Sequence, residues 1–346
     1  MVVYHYADFF SYRGRLLARG CDYMAPRLVL VHGIGKPRRQ AVDKERWISA
    51  LADGARRAGH SQAAERLIAG ELAEIVFAYY GDLFAAAGRQ GAEGTELTQQ
   101  EAKLLHALLT EITEAQCDSH PDDGGQPGAA LASARAQLRL SEAGTAQGAG
   151  ALVRQSINAA TTLLGARPWG RAGQWVGGKF LVADLAQAAR YLSRGEPDAA
   201  GQTLDARIRA SVAAAIGAGP AVVIAHSLGT VVGFEALHEP GPRVPLFVTL
   251  GSPLAMRAVV WPRVRPRPPA TPERVGRWLN FWDRDDIIVP RPILESDVAA
   301  NAAGVLPKST RTDADGVWTH TAAKYLSKPD VAGPVMEALA STAAHL

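Results

Sequence analysis

Ser227 sits in the segment Val222-Val-Ile-Ala-His-Ser-Leu-Gly229, at the end of a β-branched apolar run and with small residues, Ala225 and Gly229, two positions to either side. This is the sequence form of a nucleophile elbow. A strand that turns sharply into a helix holds its turn residue in a strained conformation, and the residues two before and two after must be small for strand and helix to pass. The apolar run from Ala221 to Ala225 supplies the strand. Thr230 to His238 follows with helical spacing and ends before Pro240. Ala225 replaces the first glycine of the usual pattern and is read as a tolerated small substitution.

A serine hydroxyl is a poor nucleophile at neutral pH, so it needs an imidazole base and a carboxylate to orient that base. Of the nine histidines, His5, His60, His106, His120 and His345 fall in termini, surface helices or an irregular insertion. His238 closes the helix after the elbow, and His226 is expected to point away from the serine and serve as packing. His320, in Asp315-Gly-Val-Trp-Thr-His320, is the candidate base. The carboxylate is sought in Asp283-Arg-Asp-Asp-Ile-Ile-Val-Pro290, which begins where an apolar strand ends. Asp286 is preferred, because burial of Ile-Ile-Val-Pro would pin its loop, and Asp283 is the alternative. The chain order Ser, Asp, His is that of the α/β-hydrolase triad.

A developing oxyanion needs donors. The backbone N–H of Leu228 at the helix N-terminus and that of Ile34, in the loop His32-Gly-Ile-Gly35, are the two candidates. The same loop fails as a phosphate cradle: G-x-G-x-x-G would need glycine at Arg38, and G-x-x-x-x-G-K would need it at Leu30. Ser252, in Leu-Gly-Ser-Pro253, is a rival nucleophile, but Pro253 has no N–H to offer an oxyanion, so Ser252 is expected to shape the pocket.

These segments need a scaffold. Arg27 to Val31, Glu74 to Tyr80, Pro245 to Leu250 and Trp278 to Trp282 read as further strands. Helices are expected over Ala41 to Ala58, Ala63 to Leu72, Leu204 to Ile216 and from Pro334 onward. The alternation implies an α/β fold, a mostly parallel central sheet with helices on both faces, with ligands beyond the carboxyl ends of its strands. Residues 1–82 and 201–346 form the expected core, and 83–200 a large, mainly helical, cap-like insertion. Within the insertion, Thr98 and Glu101 make a capping box ahead of Ala102 to Ala115. Ala151 to Leu164 and Phe180 to Leu192 read as apolar-faced helices joined by a link carrying Trp169 and Trp175. The Gly/Ala/Gln-rich residues near 124–150 are expected to be flexible.

The formal net charge of +3 over 346 residues is scattered, which argues against a nucleic-acid partner. The two cysteines, Cys21 and Cys117, suggest neither a disulfide framework nor a zinc site, and no cofactor or metal is expected. Asp8 interrupts the start where a secretory signal would be apolar, and no apolar tract reads as a membrane span, so a cytoplasmic location is expected. The loop Val259-Val-Trp-Pro-Arg-Val-Arg-Pro-Arg-Pro-Pro269 reads as a solvated Pro-rich loop, with transient contact at an anionic membrane surface as the alternative. Oligomeric state is left open by the sequence.

Together, Leu30-Val-His-Gly-Ile-Gly35, Ile224-Ala-His-Ser-Leu-Gly-Thr230, Thr249-Leu-Gly-Ser-Pro253, Asn280 to Pro290 and His320 resemble the serine esterases and lipases of the α/β-hydrolase superfamily, in particular bacterial hydrolases with an H-G-I-G loop. The resemblance implies hydrolysis of carboxylic esters of a small or lipid-like acyl substrate through an acyl-enzyme. Thioester or amide hydrolysis, acyl transfer, or a non-catalytic relative that binds an acyl compound or a protein partner stand as alternatives.

Overall fold

The structure, a computed structural model, describes residues 25–33, 40–86, 97–119, 125–139, 148–165, 171–195, 197–313 and 319–345. Among these, six strands, β1 (Arg27–Val31), β2 (Glu74–Ala78), β3 (Ala221–His226), β4 (Phe247–Leu250), β5 (Trp278–Trp282) and β6 (Pro307–Arg311), form one all-parallel sheet in the order β2-β1-β3-β4-β5-β6. The unalternating apolar runs are explained by burial on both faces. Leu28 and Leu30 of β1, Val222 and Ile224 of β3, and Val248 of β4 enter one hydrophobic cluster; Val29, Val31, Val223, Ala225 and Phe247 enter the other. The register Leu28↔Val222 and Ile224↔Val248 keeps each set on its own side.

The first face carries α1 (Gln40–Arg57), α2 (Ser61–Ile68), α10 (Ala322–Leu326) and α11 (Pro329–Ala343). The second carries α8 (Leu204–Ile216), α9 (Leu228–Leu237) and the helices α3 (Gly81–Ala86), α4 (Gln99–Ser119), α5 (Gln126–Arg139), α6 (Ala149–Gly165) and α7 (Arg171–Ser193). The chain steps outward from β1 to β2, returns past β1 to β3, and then proceeds in order to β6. That reversal puts the topological switch point between the carboxyl ends of β1 and β3, the usual ligand position on such sheets.

Helices α4–α7 occupy the span read as an insertion. They pack on one another, and their apolar faces merge with the sheet: Leu105, Leu108, Leu109 and Ile112 of α4 share a cluster with Val29, Val31 and Tyr80. Each such side chain, fully buried, contributes about 1.5–3 kcal/mol, enough to hold this layer firmly against the core. The capping box forms, with Thr98 N–H donating to Glu101 Oε2 at 2.9 Å and Glu101 N–H to Thr98 Oγ1 at 3.2 Å. Residues 126–139, inside the stretch whose composition suggests flexibility, form α5. Its Leu131, Ala134 and Leu138 follow helical spacing and are buried, and the partner helices supply the burial that composition does not reveal. Trp175 falls within the span of α7, and Trp169 lies outside the described residues.

The layer is tied to the core by polar contacts as well. The guanidinium of Arg194, just past α7, reaches Asp205 of α8 at 2.8 Å, Glu235 of α9, and the carbonyl of Arg263 at 3.1 Å. Glu111 of α4 accepts the backbone N–H groups of Arg257 and Ala258, in the loop that follows β4. In that loop Val259, Val260 and Val264 are buried in the core, so its apolar half is not offered to a membrane surface. None of the described helices is long and apolar enough to cross a membrane.

Besides α5, α3 and the start of α7 at Arg171, other elements differ from the sequence reading. β6 carries Pro-Lys-Ser-Thr-Arg at the sheet edge, half exposed, and so shows no apolar signal. Helix α10 spans five residues, too few for a period to be seen. Helix α11 begins at Pro329 rather than Pro334. Proline suits the first position, and Pro334 lies inside the helix, where its missing N–H removes one backbone bond.

Candidate active site

Ser227 is the N-cap of α9, immediately after β3, with φ 57° and ψ −131°, one of two non-glycine residues with positive φ among those described. Such a conformation costs about 1–3 kcal/mol and persists only where surrounding contacts fix it. Here the Ser227 N–H donates to Leu250 O at 3.0 Å, and its carbonyl accepts from Thr230 N–H at 2.9 Å and Thr230 Oγ1 at 2.7 Å. The small flanking residues have distinct reasons. A Cβ on Gly229 would lie 2.4 Å from His32 O and 2.7 Å from Val31 O, so nothing larger than glycine passes the end of β1. Ala225 faces Gly233 of α9, where even an added Cβ would stand 3.5 Å from the alanine methyl. The methyl that replaces the usual glycine therefore fits.

Ser227, His320 and Asp286 come together in one hydrogen-bonded chain, although they lie on three separate segments. Ser227 Oγ is 2.8 Å from His320 Nε2, and His320 Nδ1 is 2.7 Å from Asp286 Oδ2. An ionised carboxylate only accepts, so Nδ1 carries the proton and Nε2 is left to accept from the serine hydroxyl. The Asp286 side chain is fully buried, whereas that of His320 is 22% exposed; Ser227 itself is buried.

The acid loop is held by its own turn and by burial. Asp286 Oδ1 accepts Ile288 N–H at 3.0 Å, and Ile288 and Val289 are buried, the pinning that the apolar residues after the aspartate suggested. The Asp283 carboxylate instead accepts Asp285 N–H at 2.6 Å, shaping the turn that presents Asp286. Thr319 Oγ1 donates to Asp285 O at 2.9 Å and so fastens the histidine loop to the acid loop. Among the described residues no group of three or more His, Cys, Asp and Glu side chains is arranged to hold a metal ion.

Two contributors, Gly251 and Tyr325, escape the sequence reading. Gly251, at the end of β4 with φ +56°, runs beside the imidazole–carboxylate bond; a Cβ there would stand 2.9 Å from Asp286 Oδ2 and 3.1 Å from His320 Nδ1. Tyr325 of α10 donates its hydroxyl to Asp286 Oδ2 at 2.8 Å and accepts Asp283 N–H at 3.1 Å. Burial, and then the neighbouring Asp286 charge, raise its phenol far above the ordinary tyrosine range, so it stays a donor. His226 packs as expected, but onto the candidate base. Its ring centroid is 4.7 Å from that of His320, with Trp47 at 6.1 Å and Tyr325 at 6.4 Å around it.

The loop after β1 closes on the serine. A Cβ on Gly33 would fall 2.6 Å from Ser227 Cβ and 2.8 Å from His226 O, so the backbone reaches contact distance only because residue 33 is glycine. His32 fixes that approach: its Nε2 accepts Tyr80 N–H at 3.1 Å, its carbonyl accepts the Tyr80 hydroxyl, and its ring stacks on Tyr80 at 4.2 Å. Ile34, the expected second oxyanion donor, lies outside the described residues. Leu228, the other, occupies the first position of α9, where no intrahelical carbonyl is in reach of its N–H. Ser252 is buried, with its hydroxyl 2.8 Å from Thr230 Oγ1 and accepting Leu254 N–H at 3.3 Å, consistent with a shaping role beneath the elbow.

Neither a protein-family model, nor a curated protein, nor a solved structure matches this chain.

Proposed function

We propose that the chain is a serine hydrolase of the α/β-hydrolase fold that cleaves carboxylic esters through an acyl-enzyme. The observation that carries this reading is the unbroken path Ser227 Oγ, His320 Nε2, His320 Nδ1, Asp286 Oδ2, with links of 2.8 and 2.7 Å, at a strained strand-to-helix turn. Ser227 Oγ attacks the ester carbonyl carbon while His320 Nε2 takes its proton. Asp286 holds the imidazole tautomer and offsets the imidazolium charge. The tetrahedral intermediate collapses, the alkoxide takes the proton from His320 and leaves as the alcohol. Water then attacks the acyl-enzyme with His320 again as base, releasing the acid and restoring Ser227.

The Leu228 N–H, aided by the dipole of α9, and the Ile34 N–H on the loop after Gly33 would receive the oxyanion. Loss of one such donor typically costs about 3–4 kcal/mol in barrier. The helical layer α4–α7 serves as a cap in this reading, anchored by Glu111 to the loop beyond β4.

With p-nitrophenyl esters from acetate to palmitate, a burst of p-nitrophenol stoichiometric with enzyme is expected before the steady state, marking the acyl-enzyme. Release without a burst, at a rate unaffected by Ser227→Ala, would refute the reading. The chain length giving the highest kcat/KM identifies the acyl group the cap favours.

A further inference from the structure

We propose that Tyr325 is a positioning residue for the acid of this site, holding Asp286 through its hydroxyl so that the carboxylate meets His320 in one orientation; the proposal rests on the serine hydrolase reading above. Both carboxylate oxygens are then accounted for. Oδ1 takes Ile288 N–H at 3.0 Å, and Oδ2 takes the Tyr325 hydroxyl at 2.8 Å alongside His320 Nδ1 at 2.7 Å. The backbone turn alone fixes Oδ1 and leaves the carboxylate a torsion about its last bond. The tyrosine removes that torsion, because its oxygen is itself fixed from two directions.

One direction is hydrogen bonding. The Tyr325 oxygen accepts Asp283 N–H at 3.1 Å, so the first residue of the acid loop and its functional side chain are clamped by one hydroxyl. The other is packing. Tyr325 is wholly buried, its ring neighbours His226 at a tilt, and His226 in turn neighbours His320, so one row of tilted rings links both partners of Asp286. The clamp also separates the roles of the neighbouring aspartates: Asp283 offers Tyr325 its backbone and uses its carboxylate on Asp285 N–H, while Asp286 offers its carboxylate. The hydroxyl has a single proton, and Asp286 receives it, so the phenol acts as donor to the charged form and adds a charge-assisted bond.

A residue that works through Asp286 loses its effect when Asp286 is disabled, whereas a residue that merely supports the fold does not. Tyr325→Phe is therefore expected to lower kcat roughly tenfold or more with KM within about twofold, and to change the rate less than about twofold in an Asp286→Asn background. The rate constant for fluorophosphonate labelling of Ser227 provides the same comparison where turnover is too slow. In the wild-type protein, the Tyr325 hydroxyl proton is expected as a slowly exchanging NMR resonance with a cross-peak to the His320 Nδ1 proton. This measurement does not depend on how the variants fold. Equal losses in the two backgrounds, a Tyr325→Phe rate within twofold of wild type, or a freely exchanging hydroxyl would each overturn the proposal. Absence of labelling in the wild type would instead remove the hydrolase reading beneath it.

Discussion

Ser227→Ala is expected to lower kcat for ester hydrolysis by about a millionfold, and His320→Ala by a similar factor. The two are expected to be non-additive. Once either side chain is gone there is no activated oxygen for the other to serve, so the double variant should be no slower than the single ones. Folding should survive in each case. The Ser227 hydroxyl takes no part in the bonds that hold the turn, which run through its backbone N–H and carbonyl to Leu250 and Thr230. His320 is partly open to solvent. Kinetics of the two single variants and the double, with melting temperatures measured in parallel, checks this. Independent, multiplying losses would mean that the serine and the imidazole do not act as a unit.

Asp286→Asn should cost about ten thousandfold in kcat, because an amide opposite Nδ1 favours the wrong imidazole tautomer and cannot offset the imidazolium. Asp283→Asn should cost far less. Its carboxylate accepts a turn N–H that an amide oxygen can also accept, and its contact with Tyr325 is through the backbone. The expected pattern is thus a large loss in kcat at 286 and a small one at 283, which separates two carboxylates that local sequence leaves close in rank. The reverse pattern would move the acid to Asp283 and require the 2.7 Å bond between Asp286 and His320 to be broken in solution.

What could be read from the sequence follows from how local each signal is. The strands β1, β3, β4 and β5 announce themselves because both their faces are buried and most of their residues are apolar; β6, at the edge with one half-exposed polar face, does not. The serine was legible because its constraint is local: strand, small residue, turn, small residue, helix. His320 and Asp286 were legible through chain order and through the burial that follows the aspartate. Gly251 and Tyr325 were not, because each acts across a contact between segments far apart in the chain. Tyr325 and Asp286 are 39 residues apart, and nothing in Lys-Tyr-Leu marks the tyrosine as a partner of a carboxylate. The helix α5 was hidden for a related reason, since its Ala- and Gln-rich sequence is made helical by neighbours that composition does not show. His226 was read correctly as packing, but the ring it packs on was beyond reach of sequence.

The most direct test of the central claim is covalent. Folded wild-type protein treated with a fluorophosphonate should gain one adduct, mapped by peptide mass spectrometry to Ser227, with His320→Ala slowing the reaction by several orders of magnitude and Ser227→Ala abolishing it. No labelling of Ser227 in the folded protein at any pH from about 6 to 9, or labelling at equal rate after heat denaturation, would contradict an activated serine at this site.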